Sequence, residues 1–181
     1  MPGQDYQVRM KLKVLFLILT LNMSLIMSAE SFGIVVHGGA GVLSGLSIER
    51  QQEIENKVKD TLISAYKILE DGGSSMDAVE FAVSEFEDST LFNAGKGSVY
   101  NSNEVQEMDA SIMNGADRSA GAVASVQIIK NPIKLARKVL EETDHVLLVG
   151  QGAEIFAKDI EETIVDRSYF HSEKNLKRLK K

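Results

Sequence analysis

There is no cysteine in the chain, so thiol catalysis, disulfide bridges and thiolate metal sites are all excluded. Histidine is nearly as scarce. His37, His145 and His171 are the only three, and none sits at helical i, i+4 spacing from another, which argues against a zinc site. Nor is there a broad basic face: the formal net charge is -6, and that balance speaks against a nucleic-acid partner. The one basic cluster, five positive charges between Lys174 and Lys181, reads as the solvated end of a helix. Two catalytic grammars are missing as well. The stretch "STLFNAGKGSVYN", Ser89 to Asn101, carries Gly-Lys-Gly-Ser but fails as a phosphate loop twice over. Thr90 stands where a glycine is required, and Gly97 separates Lys96 from the hydroxyl of Ser98. No Gly-x-Ser-x-Gly elbow occurs, which removes an α/β-hydrolase serine.

What is present suits one folded domain. The chain has 181 residues, 44% hydrophobic and 25% charged, enough for a real core. Met10 to Ala29 runs from a basic start through an apolar stretch to a small-residue exit at Ser28-Ala29, the grammar of a secretory signal peptide. Asn22 and Ser24 interrupt it too early for a comfortable membrane span, which sets the alternative of an uncleaved anchor second. The expectation is a signal peptide over residues 1–29, initiated at Met10, and a mature region over 30–181. The mature protein would be exported to the periplasm or beyond, without membrane attachment, or would stay cytoplasmic if the signal is not used.

From Phe32 the pattern alternates strands and helices. Phe32 to Val36 reads as a short buried strand that runs into His37-Gly38-Gly39-Ala40-Gly41. Helical spacing follows at Ile54, Val58, Leu62, Ala65 and Leu69, with Ser47 as N-cap and Gly72-Gly73 as the stop. A second helix from Ser74 or Ser75 is expected to bury Met76, Val79, Val83 and Phe86. Strands are expected at Asp109 to Met113 and Ala120 to Ile129, separated by the turn-forming Asn114-Gly115. Asn131-Pro132 opens a third helix with Leu135, Val139 and Leu140 inward, since proline is tolerated at the first helical position. His145 to Val149 is a further strand, and a helix follows from about Ala153.

Glycine gives the pattern its specificity. Three glycines in His37 to Gly41 directly follow a strand, where backbone must turn sharply or approach another segment closely. Taken with it are "SSMDAVEFAV" (Ser74 to Val83), "LFNAGKGSVYN" (Leu91 to Asn101), "EMDASIMNG" (Glu107 to Gly115) and "AGAVASVQIIKNPIKLARKV" (Ala120 to Val139). In order and spacing these motifs resemble the α-subunit of the plant-type asparaginases, or isoaspartyl peptidases, which are N-terminal-nucleophile hydrolases. The resemblance runs from about Phe32 to the end of the chain.

The resemblance implies an α+β fold, the α-subunit half of an αββα four-layer sandwich. It also implies a precursor that cuts itself before a threonine, whose freed amine acts as base for its own hydroxyl. L-asparagine and β-aspartyl peptides are the implied substrates, and an (αβ)2 dimer the implied assembly. A structural sodium ion is implied at the "LFNAGKG" loop, held by backbone carbonyls at Phe86, Glu87, Ser89, Phe92, Ala94 and Lys96, as suits a hard cation. Asn93 matches the asparagine near the nucleophile. His37, Gly38, Gly39 and Gly41 form the glycine-rich loop, with a structural rather than catalytic role for His37. Asp109 is read as pairing or capping locally.

The departure from the pattern is equally plain. No Gly-Thr-Val-Gly segment occurs among these residues, so the catalytic threonine is absent from them. The expectation is a chain truncated before the β-subunit, inactive alone and needing that subunit as partner. The alternative is a non-catalytic remnant or partner-binding subunit.

Overall fold

The computed structural model describes residues 32–39, 41 and 45–180; the signal-peptide reading of residues 1–29 lies outside the described residues. The unit from Gly33 to Lys181 carries a small mixed sheet with helices packed on it. Ser47 opens helix α1 (Ile48–Glu70), its hydroxyl accepting from Arg50 N at 3.3 Å. The helix stops where expected. Gly72 takes φ 86°, a left-handed conformation that costs glycine nothing, and Gly73 N closes on Ile68 O at 2.8 Å. Helix α2 (Ser75–Glu87) starts on a reciprocal capping box, with Asp77 N bonded to the Ser74 hydroxyl and Ser74 N to the Asp77 carboxylate.

Strands β1 (Met108–Met113) and β2 (Ala120–Val126) form an antiparallel hairpin, and β3 (Leu147–Val149) adds in parallel to give the order β1-β2-β3. The parallel pairing needs a crossover, which helix α3 (Pro132–Glu142) supplies. Helix α4 (Gly150–Asp159) follows β3 directly, then a 3-10 turn over Arg167–Phe170 and the short helix α5 (Glu173–Leu179). The core lies between the sheet, α3, α4 and the inner face of α2: Met76, Met108, Ile112, Val123, Val126, Ile129, Leu135, Val139, Ala153 and Phe170 are all buried there.

Four details differ from the sequence expectation. Gly33 to Val36 joins no ladder of the described sheet; Ile34 and Val36 are half-buried while Val35 is 94% exposed. The alternation of a strand is there, but no described strand lies beside it. The strand expected to reach Ile129 leaves the ladder at Val126, and Ile128 to Lys130 pairs instead with Thr163 to Val165. The break has a local cause. Three residues of β1, from Met108 to Ala110, face four of β2, from Val123 to Val126, and the extra length is taken up at Ser125, which adopts φ 53°. On α2, Val79 is exposed whereas Ala78 and Ala82 are buried, because that helix packs between α1 and α3 and its buried face is turned toward both. Helix α4 begins at Gly150, three residues ahead of the expected Ala153.

Candidate functional site

The two glycine-bearing segments meet. In the first, Gly39 takes φ 99° and its N–H donates to His37 Nδ1 at 3.2 Å, so His37 shapes its own turn. Gly38 lies flat against the second: a Cβ there would stand 3.0 Å from the Phe92 ring. Only hydrogen fits that approach without moving the aromatic. Phe92 is itself buried and stacked on Phe86, ring centroids 4.3 Å apart, so the contact is anchored at the end of α2. Gly41 has open space around it.

The second segment coils tightly. A 3-10 turn over Gly95–Gly97 is closed by Gly97 N to Ala94 O (2.9 Å) and Ser98 N to Gly95 O (3.0 Å). Asn93 spans the turn, its Oδ1 accepting from Val99 N at 2.9 Å. That engages its acceptor in the loop, so what Asn93 offers outward is the Nδ2 donor. Backbone oxygens crowd the glycines. A Cβ on Gly95, at φ 47°, would lie 2.3 Å from Glu87 O, and one on Gly97 would lie 2.0 Å from Phe92 O and 2.9 Å from Ser89 O. Both positions are closed to any side chain. Of the remaining carbonyls implied by the resemblance, Phe86 O accepts from Ser89 N and Ala94 O from Gly97 N. Each keeps a second lone pair.

Carbonyl oxygens are the donor type that suits a hard cation of low charge, and those of Glu87, Ser89 and Phe92 line the two glycine positions. Among the described residues no group of three or more His, Cys, Asp or Glu is arranged to hold a metal. The ammonium of Lys96 lies over the Tyr169 ring, 5.1 Å from its centroid, where the π-face accepts the charge. The phosphate reading stays excluded, because no helix follows Ser98 to present its N-terminus to an anion.

One group at this site carries no sequence signal. The side chain of Glu87 turns away from the loop into the core, where its Oε1 accepts from Ile133 N at 3.0 Å. It thereby caps α3 from a helix 46 positions earlier in the chain. The local cap is absent: Asn131 makes no side-chain bond to α3 and reaches Asp88 Oδ1 at 3.2 Å instead. Glu87 is 3% exposed and its Oε2 has no partner. Burial, opposed chiefly by the bond from Ile133 N, pushes its carboxyl up to about 8. The residue whose carbonyl belongs to the loop thus has a side chain fixed in the core. Asp109 pairs with the neighbouring strand, accepting from Ser125 N at 2.8 Å across the bulge.

A coiled, carbonyl-lined loop packed on a His-Gly-Gly turn, in a mixed fold with a small sheet, is consistent with an N-terminal-nucleophile hydrolase family. The chain belongs to the Asparaginase family: the Asparaginase_2 model, described as Asparaginase, matches residues 30–181. It is 48% identical over 142 residues to a putative isoaspartyl peptidase/L-asparaginase of Dictyostelium discoideum, across 77% of this chain and 41% of the relative. It is 48% identical over 151 residues to the isoaspartyl peptidase/L-asparaginase of Mus musculus, across 80% and 46%. It is 50% identical over 125 residues to the plant-type L-asparaginase of Pyrococcus horikoshii, across 69% and 40%. The chain spans less than half the length of these relatives.

Proposed function

We propose that these residues are the α-subunit portion of a threonine-nucleophile hydrolase that releases aspartate from L-asparagine or β-aspartyl peptides. The observation that carries this reading is the meeting of the two loops: Gly38 against Phe92, with the Glu87, Ser89 and Phe92 carbonyls gathered around Gly95 and Gly97. In this reading the described strands belong to one half of an αββα sandwich, completed by a β-portion that opens with threonine after self-cleavage. The subunits would pair as an (αβ)2 dimer.

The chemistry divides accordingly. A terminal threonine supplies both nucleophile and base, its α-amine taking the proton from its own hydroxyl as that oxygen attacks the side-chain carbonyl of the substrate. Ammonia or an amino acid leaves, and water then frees aspartate from the ester. None of these groups is among the 181 residues. Their part is positional: the exposed Asn93 presents its amide from a loop braced by its own bond to Val99. The carbonyls of Phe86, Glu87, Ser89, Phe92, Ala94 and Lys96 would hold a sodium ion, which offsets the repulsion of converging carbonyl dipoles. Export is proposed on the Met10 to Ala29 pattern, with a mature N-terminus near Glu30, to be read by N-terminal sequencing of the native protein.

The test mixes the chain with a β-portion of the mouse relative beginning at its threonine and measures leucine release from β-Asp-Leu. The chain alone is expected to release none above a no-protein control. The mixture is expected to turn over, and Asn93→Ala to lower kcat. Hydrolysis by the purified chain alone, or full activity of the β-portion without it, overturns the proposal.

A further inference from the structure

The residues after α4 return to the coiled loop and hold it from outside. Tyr169 Oη donates to Asp88 Oδ1 at 3.4 Å, while its ring lies beneath the Lys96 ammonium. Ser172 N donates to Tyr100 Oη at 3.1 Å, and that hydroxyl lies 3.0 Å from His171 Nδ1. Asn175 makes the most direct contact: its Nδ2 donates to both Gly97 O (3.0 Å) and Ser98 O (3.1 Å). Buried Gln106 reaches the same place, with Nε2 bonded to Ser98 O at 2.8 Å and Ser98 Oγ at 3.2 Å. The loop's carbonyls therefore fall into two sets. Those of Gly97 and Ser98 are occupied by side-chain amides, whereas those of Glu87, Ser89 and Phe92 crowd the glycine positions.

We propose that the segment from Tyr169 to Leu179 is a clasp on the Asn93 to Tyr100 loop, with Asn175 its positioning residue, and that the clasp sets the loop's affinity for its cation. The last clause rests on the cation reading above. The energetic logic runs in both directions. Helix α5 has seven residues and no buried one, too short to persist on its own propensity. What retains it is the bonding to the loop, and by linkage a docked α5 favours the curled loop to the same degree. Without Asn175 the Gly97 carbonyl loses its side-chain donor and Ser98 O keeps only the bond from Gln106, so the coil that gathers the other oxygens loses part of its outer restraint. A cation then has to supply the ordering free energy itself and binds more weakly. An amide is the side chain this requires, since it places a donor on two adjacent carbonyls without bringing charge to the loop.

Amide hydrogen exchange on the full chain reads the clasp without any catalysis. The N–H groups of Gly97, Ser98 and Val99 all donate within the loop, and those of β2 provide an internal reference for global stability. In Asn175→Ala the loop amides are expected to exchange about tenfold faster relative to β2, the factor that corresponds to losing two neutral hydrogen bonds. Asn175→Asp, isosteric but with oxygen facing the carbonyls, is expected to exceed that. Lys180→Ala, which removes only the contact to Glu104, leaves the loop unchanged. In parallel, the thermal midpoint is followed against sodium chloride, with tetramethylammonium chloride holding ionic strength constant. Asn175→Ala is expected to raise the sodium concentration of half-effect about tenfold. Unchanged loop exchange in both Asn175 variants overturns the clasp, and faster exchange with an unmoved sodium midpoint overturns its control of affinity. If sodium does not stabilise the unmodified chain, the cation reading fails, and loop exchange alone decides for or against the clasp.

Discussion

Two helices of this protein divide its apolar surface very unequally. Helix α3 has eleven residues and buries Pro132, Ile133, Leu135, Ala136 and Val139. The sheet reaches it through Gly121, where a Cβ would stand 2.2 Å from Ala136 O, so backbone packs on backbone. Helix α1 is twice as long and buries only Thr61 and Ala65. Its Leu62 and Ile68 are half-covered, Ile63 is 57% exposed, and with Gly33, Ile34, Tyr66 and Phe81 they line an open groove of about 700 Å³. The edge at β3 is similarly bare, with Val146, Leu147 and Val149 each more than half exposed. Length and periodicity alone therefore do not decide what a helix contributes. The α3 side is a finished interior, whereas α1 and β3 present more apolar surface than the described residues are seen to bury, the kind of surface at which association becomes expected.

The contrast breaks first at Leu135. Leu135→Ala is expected to cost about 2–5 kcal/mol in urea unfolding, against roughly 1 kcal/mol for Leu62→Ala, because only the first leaves a closed cavity. Equal costs would show that α1 is as well packed as α3. Next is the cap shared between α2 and α3. Glu87→Ala strands Ile133 N and is expected to cost about 1–3 kcal/mol, while Glu87→Gln keeps an acceptor there and stays within about 1 kcal/mol of the parent. A Gln variant as unstable as Ala would mean that Glu87 does not cap α3.

The outer tie between α2 and α3 is smaller and pH-dependent. Asp77 is held down to about 2 by the Ser74 hydroxyl first and by Arg137, which also bonds Glu80 and Glu141. A depressed carboxylate stabilises the fold fully above its ordinary value of 3.8, and the contribution disappears as pH falls toward 2. Asp77→Asn is expected to cost about 0.5–2 kcal/mol at neutral pH, in the range of a lost cap, and to flatten the acid limb of the stability profile. An acid limb identical to the parent's would sink the assignment. Smallest is Ile63→Ser, within about 0.5 kcal/mol for these residues by themselves. The same change is expected to weaken association with a β-portion if the α1 groove is covered there, which size-exclusion chromatography of the mixture would register.

Local pattern carried a good deal. Ser47, Ser74 and the Gly72-Gly73 stop mark helix ends through bonds made within a few residues, and the hairpin strands of β1 and β2 follow their alternation. The coiling of the loop was written in Gly95 and Gly97, since no other residue tolerates carbonyls at that range. Val79 and the Phe32 to Val36 strand were misread for one shared reason: an apolar residue in the right phase is buried only where a partner lies, and periodicity does not name the partner. Ser125 was invisible because its left-handed turn answers to Asp109 on the neighbouring strand.

By itself, the sequence determined the family, the starts of α1, α2 and α3 and the two glycine turns, all of which depend on residue type and short-range bonding. Only the tertiary structure decided that Gly38 lies on Phe92, that Glu87 rather than Asn131 caps α3, and that Asn175 grips Gly97 and Ser98. Each of those pairs joins residues 46 to 78 positions apart or, for Gly38 and Phe92, two separate loops. Such contacts depend on how the chain folds back on itself, and no local spacing records the distance between segments that meet only once the core has closed.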